Sequence, residues 1–218
     1  NGLVKHIILN DSDIAVYSFW EAILKETNRF VEDIYSIPLT IEEWEHQKEV
    51  LKSSTKPSYE LGFATFYLNR TNRSGILNAG VIGGKKQDGK WKMDSRFNRN
   101  SLAIKVRNIA ERKGNITVYN LDFKDFAKYI PNENAFVYLD PPYANTTGYS
   151  GCQFDTDEFW DYVREISKSN IVLISEENAP EDDMGNEDEG SVEDEKGNDL
   201  DSEMLGDVQP ESSETTEK

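Results

Sequence analysis

The chain has 218 residues, 37% hydrophobic and 11% aromatic, with 41 acids against 24 Lys and Arg and a formal charge of −17. No run of about 18 apolar residues occurs, which excludes a membrane-spanning helix. The single cysteine, Cys152, excludes an internal disulfide framework and a cysteine-rich zinc site. The charge is uneven: residues 181–218 carry 16 acids against 2 bases, while residues 69–113 carry 12 bases against 3 acids. The total therefore averages an acidic tail, a basic island and a nearly neutral body. A body of about 180 residues is long enough for one sizeable core, so one domain with an insertion is expected.

In chain order, Lys5–Leu9 (KHIIL) ends in Asn10-Asp11 and reads as a buried strand followed by a turn. The chain starts at Asn1 with no signal-peptide pattern, and it reads as part of something longer. Ile14, Val16, Tyr17, Trp20, Ile23 and Leu24 recur at helical spacing and predict a helix over 13–26. A second helical pattern covers 28–52, with Thr40 as an N-cap and Glu43 as its capping-box partner. Residues 57–68 predict a further helix. The basic island then opens with NRTNRSG (69–75), runs through Gly80, Gly83, Gly84 and Gly89, and ends in a helix over 101–113. Glycine, asparagine and arginine mixed in this way suit loops that approach a ligand closely.

Beyond Gly114 the pattern changes. Ile116–Tyr119, Ala135–Leu139 and Asn170–Ser175 read as strands, with a short helix at 123–129 and a longer one at 157–167. Strands separated by helices, each ending in a polar turn, predict a mostly parallel α/β sheet. Ligands of such sheets bind beyond the carboxyl ends of the strands. The segment from about Pro180 lacks aromatic residues and has few aliphatic ones, so it is expected to be disordered. The alternative for this tail is a DNA-mimicking segment that folds over the basic island.

The strongest chemical signal is Asp140-Pro141-Pro142-Tyr143 at the end of an apolar strand. Two prolines stiffen the turn and remove two backbone donors. The Asp140 carboxylate and the Pro141 carbonyl can then accept both hydrogens of an exocyclic amino group, and Tyr143 offers a flat face for stacking. The pattern is that of a receptor for a planar base bearing an NH2. His6 and His46 lack metal-ligand spacing, so no metal is expected. The Asn-X-Ser/Thr matches at Asn69, Asn72, Asn115 and Asn145 read as chance. AGVIGGKK (79–86) is no phosphate-binding P-loop, because its first glycine is missing and Lys85 is followed by another Lys.

Taken together, IILNDSD (7–13), FYLNRTNRSGILNAG (66–80), WKMDSRFNRNSL (91–102), YNLDF (119–123), YLDPPY (138–143), GYSGCQFD (148–155) and IVLISEENAP (171–180) resemble the Dam-like, class D12 DNA adenine-N6 methyltransferases. The resemblance implies a Rossmann-like sheet, incomplete at both ends, over residues 1–180. It places a helical, basic target-recognition insertion at about 40–113 and leaves the acidic tail at 181–218. It implies S-adenosyl-L-methionine as methyl donor and double-stranded DNA as substrate. Asp11 matches the residue that holds the ribose hydroxyls of that donor, and Asp122 and Phe123 match the position that reads its adenine. Asp140, Pro141, Pro142 and Tyr143 match the loop that receives a flipped adenine, and Asp140 is also implied as a residue of the cofactor site. Asn69, Arg70, Arg73, Lys85, Lys86, Arg96 and Arg99 match the DNA-contacting region, supplying phosphate contacts and some guanine reading.

The resemblance also implies a cytoplasmic, monomeric enzyme of bacterial or phage type. The family's glycine-rich cofactor loop has no counterpart in this sequence. The alternative expectation is therefore a catalytically silent DNA-binding remnant. A methyltransferase acting on glutamine or RNA adenine is a third reading, which the LNRTNRSG and RFNR phrases oppose.

Overall fold

The computed structural model describes residues 4–131, 133–141 and 156–175. They form two compact units, one ending at Asn120 and the other beginning at Leu121.

The first unit is mainly helical. It runs β1 (Ile7–Asn10), α1 (Ile14–Lys25), α2 (Thr27–Ser36), α3 (Ile41–Ser53), α4 (Tyr59–Thr71), α5 (Arg99–Ala110) and β2 (Ile116–Tyr119). Side-chain caps set several of the starts. Asp13 caps α1 through Ala15 N, Thr40 caps α3 through Glu43 N, Ser58 caps α4 through Leu61 N, and Asn98 caps α5 through Ser101 N. Each satisfies an amide that the first helical turn leaves without a partner. The pattern over 28–52 resolves into two helices because Pro38 intervenes. A residue before proline is driven out of the helical region, and Ile37 adopts φ −57°, ψ 130°. Helix α4 reaches further than 57–68 predicted, so Asn69, Arg70 and Thr71 are helical.

Helix α4 is the spine of this unit. Leu61 through Leu68 are buried in succession, and Phe30, Phe63, Phe66, Tyr67 and Phe97 share one core with Ile23, Ile34 and Val106. Gly62 lets α4 lie against α1: a Cβ there would stand 2.3 Å from the Ser18 carbonyl oxygen. Helices α1 and α2 thus share a core with the helices of the 40–113 stretch. Strands β1 and β2 pair in parallel, Ile7 opposite Ile116 and Asn10 opposite Tyr119, and Ile116 and Val118 pack on the helical core.

The second unit holds α6 (Phe123–Phe126), β3 (Phe136–Leu139), α7 (Thr156–Ile166) and β4 (Ile171–Ile174). Strands β3 and β4 are parallel, with Phe136 opposite Ile171 and Leu139 opposite Ile174. On α7, Phe159 and Val163 are buried.

The α/β class with parallel strand pairs agrees with expectation, but the described residues give two two-stranded sheets rather than one wound sheet. The predicted burial of β1 needs correction, and the other unit's strands are exposed too. Ile7 is 46% exposed on β1, and Phe136, Tyr138, Ile171 and Leu173 are 52–70% exposed on β3 and β4. Apolar composition gives a strand the capacity to be covered on both faces, but burial requires a layer on each.

Candidate functional site

The Asp140 loop begins where β3 ends. Parallel pairing carries Ser175 alongside Asp140: the Ser175 amide donates to the Leu139 carbonyl at 3.0 Å, one residue beyond the last paired residues. The Ser175 hydroxyl donates to Asp140 Oδ1 at 2.6 Å. Asp140 is exposed and Pro141 is buried, so the carboxylate stands on a fixed hinge at the carboxyl end of a parallel strand. Pro142 and Tyr143 lie outside the described residues, as do the GYSGCQFD phrase and the acidic tail.

Of the expected cofactor residues, Asp11 follows the carboxyl end of β1. Its Oδ1 accepts from the Asp13 amide at 2.8 Å, and its own amide donates to the Tyr119 carbonyl at 3.2 Å. Asn120 ties the same turn by donating to the Asp11 and Ser12 carbonyls at 2.8 and 2.9 Å. Asp122 caps α6, its Oδ1 accepting from the Lys124 amide at 3.0 Å. The Phe123 ring lies 5.9 Å from Phe159 and 5.5 Å from Tyr162 of α7. Asp122 and Phe123 thus organise their own unit, whereas Asp11 belongs to the helical one. Burial pushes the Tyr162 phenol up to about 12.

Within the basic island the structure brings together Asn69, Arg70 and Arg96. Asn69 Oδ1 accepts from Arg70 Nε at 3.0 Å and from Arg70 Nη2 at 2.5 Å, while Asn69 Nδ2 donates to the Gly75 carbonyl at 3.0 Å. Gly75, at φ +70°, is the close point: a Cβ there would meet Asn69 Nδ2 at 3.0 Å and Arg96 Nη2 at 3.5 Å. Burial holds the Arg70 guanidinium below its usual range, and the nearby Arg96 charge pushes it the same way. Among the described residues no carboxylate pairs with Arg70 or Arg96. Two like charges near each other, one of them partly desolvated and neither paired with a carboxylate among the described residues, have the chemistry to accept an anion.

The other basic residues have separate surroundings. Arg73 is exposed, with Nη2 2.9 Å from the position a Cβ on Gly80 would take. Lys85 pairs with Glu45 at 2.7 Å and lies 5.7 Å from the centre of the Trp44 ring, and Lys86 is exposed. Arg99 is directed inward, donating to the Ile34 carbonyl and, at 2.7 Å, to the Ile37 carbonyl. Asn72 is likewise a framework residue: fully buried, it accepts from Trp44 Nε1 at 2.7 Å and donates to the Ile76 and Leu77 carbonyls. A cleft of about 640 Å³ in this unit, whose lining includes Ile14, Trp44, Lys48 and Leu77, contains neither Arg70 nor Arg96.

Two residues escaped the sequence reading. Trp91 is 66% exposed with the Lys90 ammonium 5.4 Å from its ring centre, and the KWK triplet was the available signal. Ser175 had no signal, because its proximity to Asp140 comes from strand register.

Parallel strand pairs with helices between them, and Asp140-Pro141 at a strand's carboxyl end, form a mixed α/β arrangement of the kind that binds ligands beyond the carboxyl ends of its strands. The model of the D12 class N6 adenine-specific DNA methyltransferase family matches residues 2–180, and the chain belongs to that family. No curated protein matches it. Among the described residues no helix is long and apolar enough to cross a membrane, and no group of three or more His, Cys, Asp or Glu is placed to hold a metal.

Proposed function

We propose that the chain methylates the N6 amino group of an adenine flipped from duplex DNA, with S-adenosyl-L-methionine as donor. The observation that carries this reading is the Asp140 carboxylate, fixed at the carboxyl end of β3 within a chain of the D12 family. An adenine inside the helical stack cannot present N6, so it must be extruded. Asp140 and the Pro141 carbonyl accept the two amino hydrogens and turn the nitrogen lone pair toward the donor. S-Adenosyl-L-methionine supplies an electrophilic methyl on a sulfonium. As the new N–C bond formed, the C–S electron pair would stay with sulfur, and the proton lost by the nitrogen would pass to water. Positioning and electrostatics carry the catalysis, with no covalent enzyme intermediate.

For the donor, Asp11 has suitable chemistry: a carboxylate just past a parallel strand accepts hydrogen bonds from ribose hydroxyls. Asp122 and Phe123 are assigned to its adenine. For DNA, Arg70 and Arg96 form the principal phosphate contact, with Asn69 orienting Arg70. Arg73, Lys85 and Lys86 contribute exposed charge, and Arg99 supports the region from within. The chain acts as a monomer without metal.

The test is methyl transfer from radiolabelled donor to duplex DNA. Asp140→Ala is expected to reduce transfer by at least about a thousandfold, the scale set by positioning and electrostatics together, with DNA affinity within twofold of the parent. Transfer retained in Asp140→Ala sinks the assignment. The cation cluster and Asp140 belong to different units, so a silent DNA-binding remnant is the second reading. A parent that binds DNA and transfers nothing would establish it.

A further inference from the structure

We propose that Ser175 is the positioning residue for the Asp140 carboxylate, an inference that rests on the catalytic reading of Asp140. Strands β3 and β4 are in register through Leu139 and Ile174, and the Ser175 amide extends the ladder to the Leu139 carbonyl. Parallel neighbours in register stand about 4.8 Å apart and project from the same face. The short serine side chain then reaches its neighbour's carboxylate, and its hydroxyl does so at 2.6 Å from Oδ1. That length is typical of a hydroxyl donating to an ionised carboxylate. The same hydroxyl stands 3.5 Å from the Leu139 carbonyl oxygen, the residue that precedes Asp140.

The consequence is orientation. An exposed aspartate turns about two side-chain bonds, and only some of its rotamers aim an oxygen at an incoming amino group. A carboxylate has about four lone-pair sites. With Oδ1 held by Ser175, Oδ2 keeps a defined direction and is left to accept from the substrate. Among the described residues the Ser175 hydroxyl is the only side-chain donor to Asp140. Among the described residues no second side chain would keep the rotamer if that bond were lost.

The experiment compares the parent chain with Ser175→Ala and Ser175→Thr. In isotopically labelled protein, three-bond couplings to the Asp140 carboxyl carbon report its χ1. A single rotamer is expected in the parent and in Ser175→Thr, and averaging in Ser175→Ala. In the transfer assay, Ser175→Ala is expected to lower kcat about tenfold or more with KM for DNA within twofold, and Ser175→Thr to restore it. Unaltered Asp140 couplings in Ser175→Ala, or an unaltered kcat, would overturn the proposal. If the parent itself transfers no methyl group, the catalytic reading fails on that result, while the couplings still decide whether Ser175 holds Asp140. Unshifted amide resonances of β3 in Ser175→Ala would show that the strands still pair.

Discussion

The unit ending at Asn120 and the unit beginning at Leu121 bury their apolar residues to different depths. In the first, five helices enclose Ile23, Phe30, Ile34, Ala64, Tyr67 and Leu68 at 0% exposure. In the second, Phe159 and Val163 are the buried hydrophobic residues among those described, and half of the strand side chains face outward. The difference separates two tasks. The deeply packed unit holds the Arg70 guanidinium at the end of α4, partly desolvated and near Arg96. The shallow unit carries Asp140 on a strand end, where one hydroxyl rather than a surrounding core fixes the side chain.

Phe30 should show the largest effect. Its ring lies 5.1 Å from both Phe63 and Phe66 and 6.1 Å from Phe19, with no exposed surface. Phe30→Ala is expected to cost about 3–5 kcal/mol in urea unfolding, the loss for a buried aromatic ring and the cavity it leaves. A cost under about 1 kcal/mol would mean that the helical core is not close-packed. Asn72→Ala comes next, at about 2–3 kcal/mol, because it strands the Trp44 indole N–H and two carbonyls in a buried site. If that variant unfolds like the parent, Asn72 is not the framework residue its bonds imply. In the second unit, Phe159→Ala is expected to cost about 2 kcal/mol, less than Phe30→Ala. Its ring partners Phe123 and Trp160 are only half-buried. Equal costs in the two units would erase the difference in depth.

How much of this was legible in the sequence depends on the range of the interaction involved. Thr40 and the strand Ile116–Tyr119 were readable because caps and short apolar runs are local. Pro38 also stood in plain sight, and it was the helical periodicity on either side that masked the break. Composition found the cationic stretch but could not rank its members. That Arg99 reaches the Ile34 and Ile37 carbonyls, more than sixty residues away, is a product of packing. Asp140 announced itself through its prolines, whereas Ser175 became visible only when β4 was laid beside β3 in register. The exposure of β1 is not legible in KHIIL, because a side chain records its own hydrophobicity and not the presence of a neighbour.

Alkaline pH offers a weaker perturbation. The phenols of Tyr59, Tyr67 and Tyr162 are all held above their ordinary value, first by burial, and Tyr59 also by donating to Asp33. A raised folded-state pKa favours the neutral phenol in the native protein. Its stabilising contribution is complete below pH 10 and is lost as pH rises through the folded value. For Tyr162 that window runs from 10.0 to about 12. Tyr162→Phe should flatten the fall in stability of the second unit across that range, measured by urea unfolding at fixed pH. A fall as steep as the parent's would show that the phenol is not responsible.

The smallest expected effect is the most discriminating, because it concerns the outward faces of β3 and β4. Phe136 and Ile171 stand opposite each other at 64% and 70% exposure. Threonine at both positions is β-branched and suits a strand, and it removes apolar surface. If that surface already meets water, little burial is lost and stability should change by no more than about 0.5 kcal/mol. If the face is covered, two large apolar side chains are lost from contact. At about 25 cal/mol per Å² of buried apolar area, the cost would then exceed roughly 2 kcal/mol. Urea unfolding separates these outcomes. A small change keeps the second unit as the shallow partner, dependent on Ser175 for the order of its carboxylate. A large change would give it a second buried layer, and depth would no longer distinguish the two units.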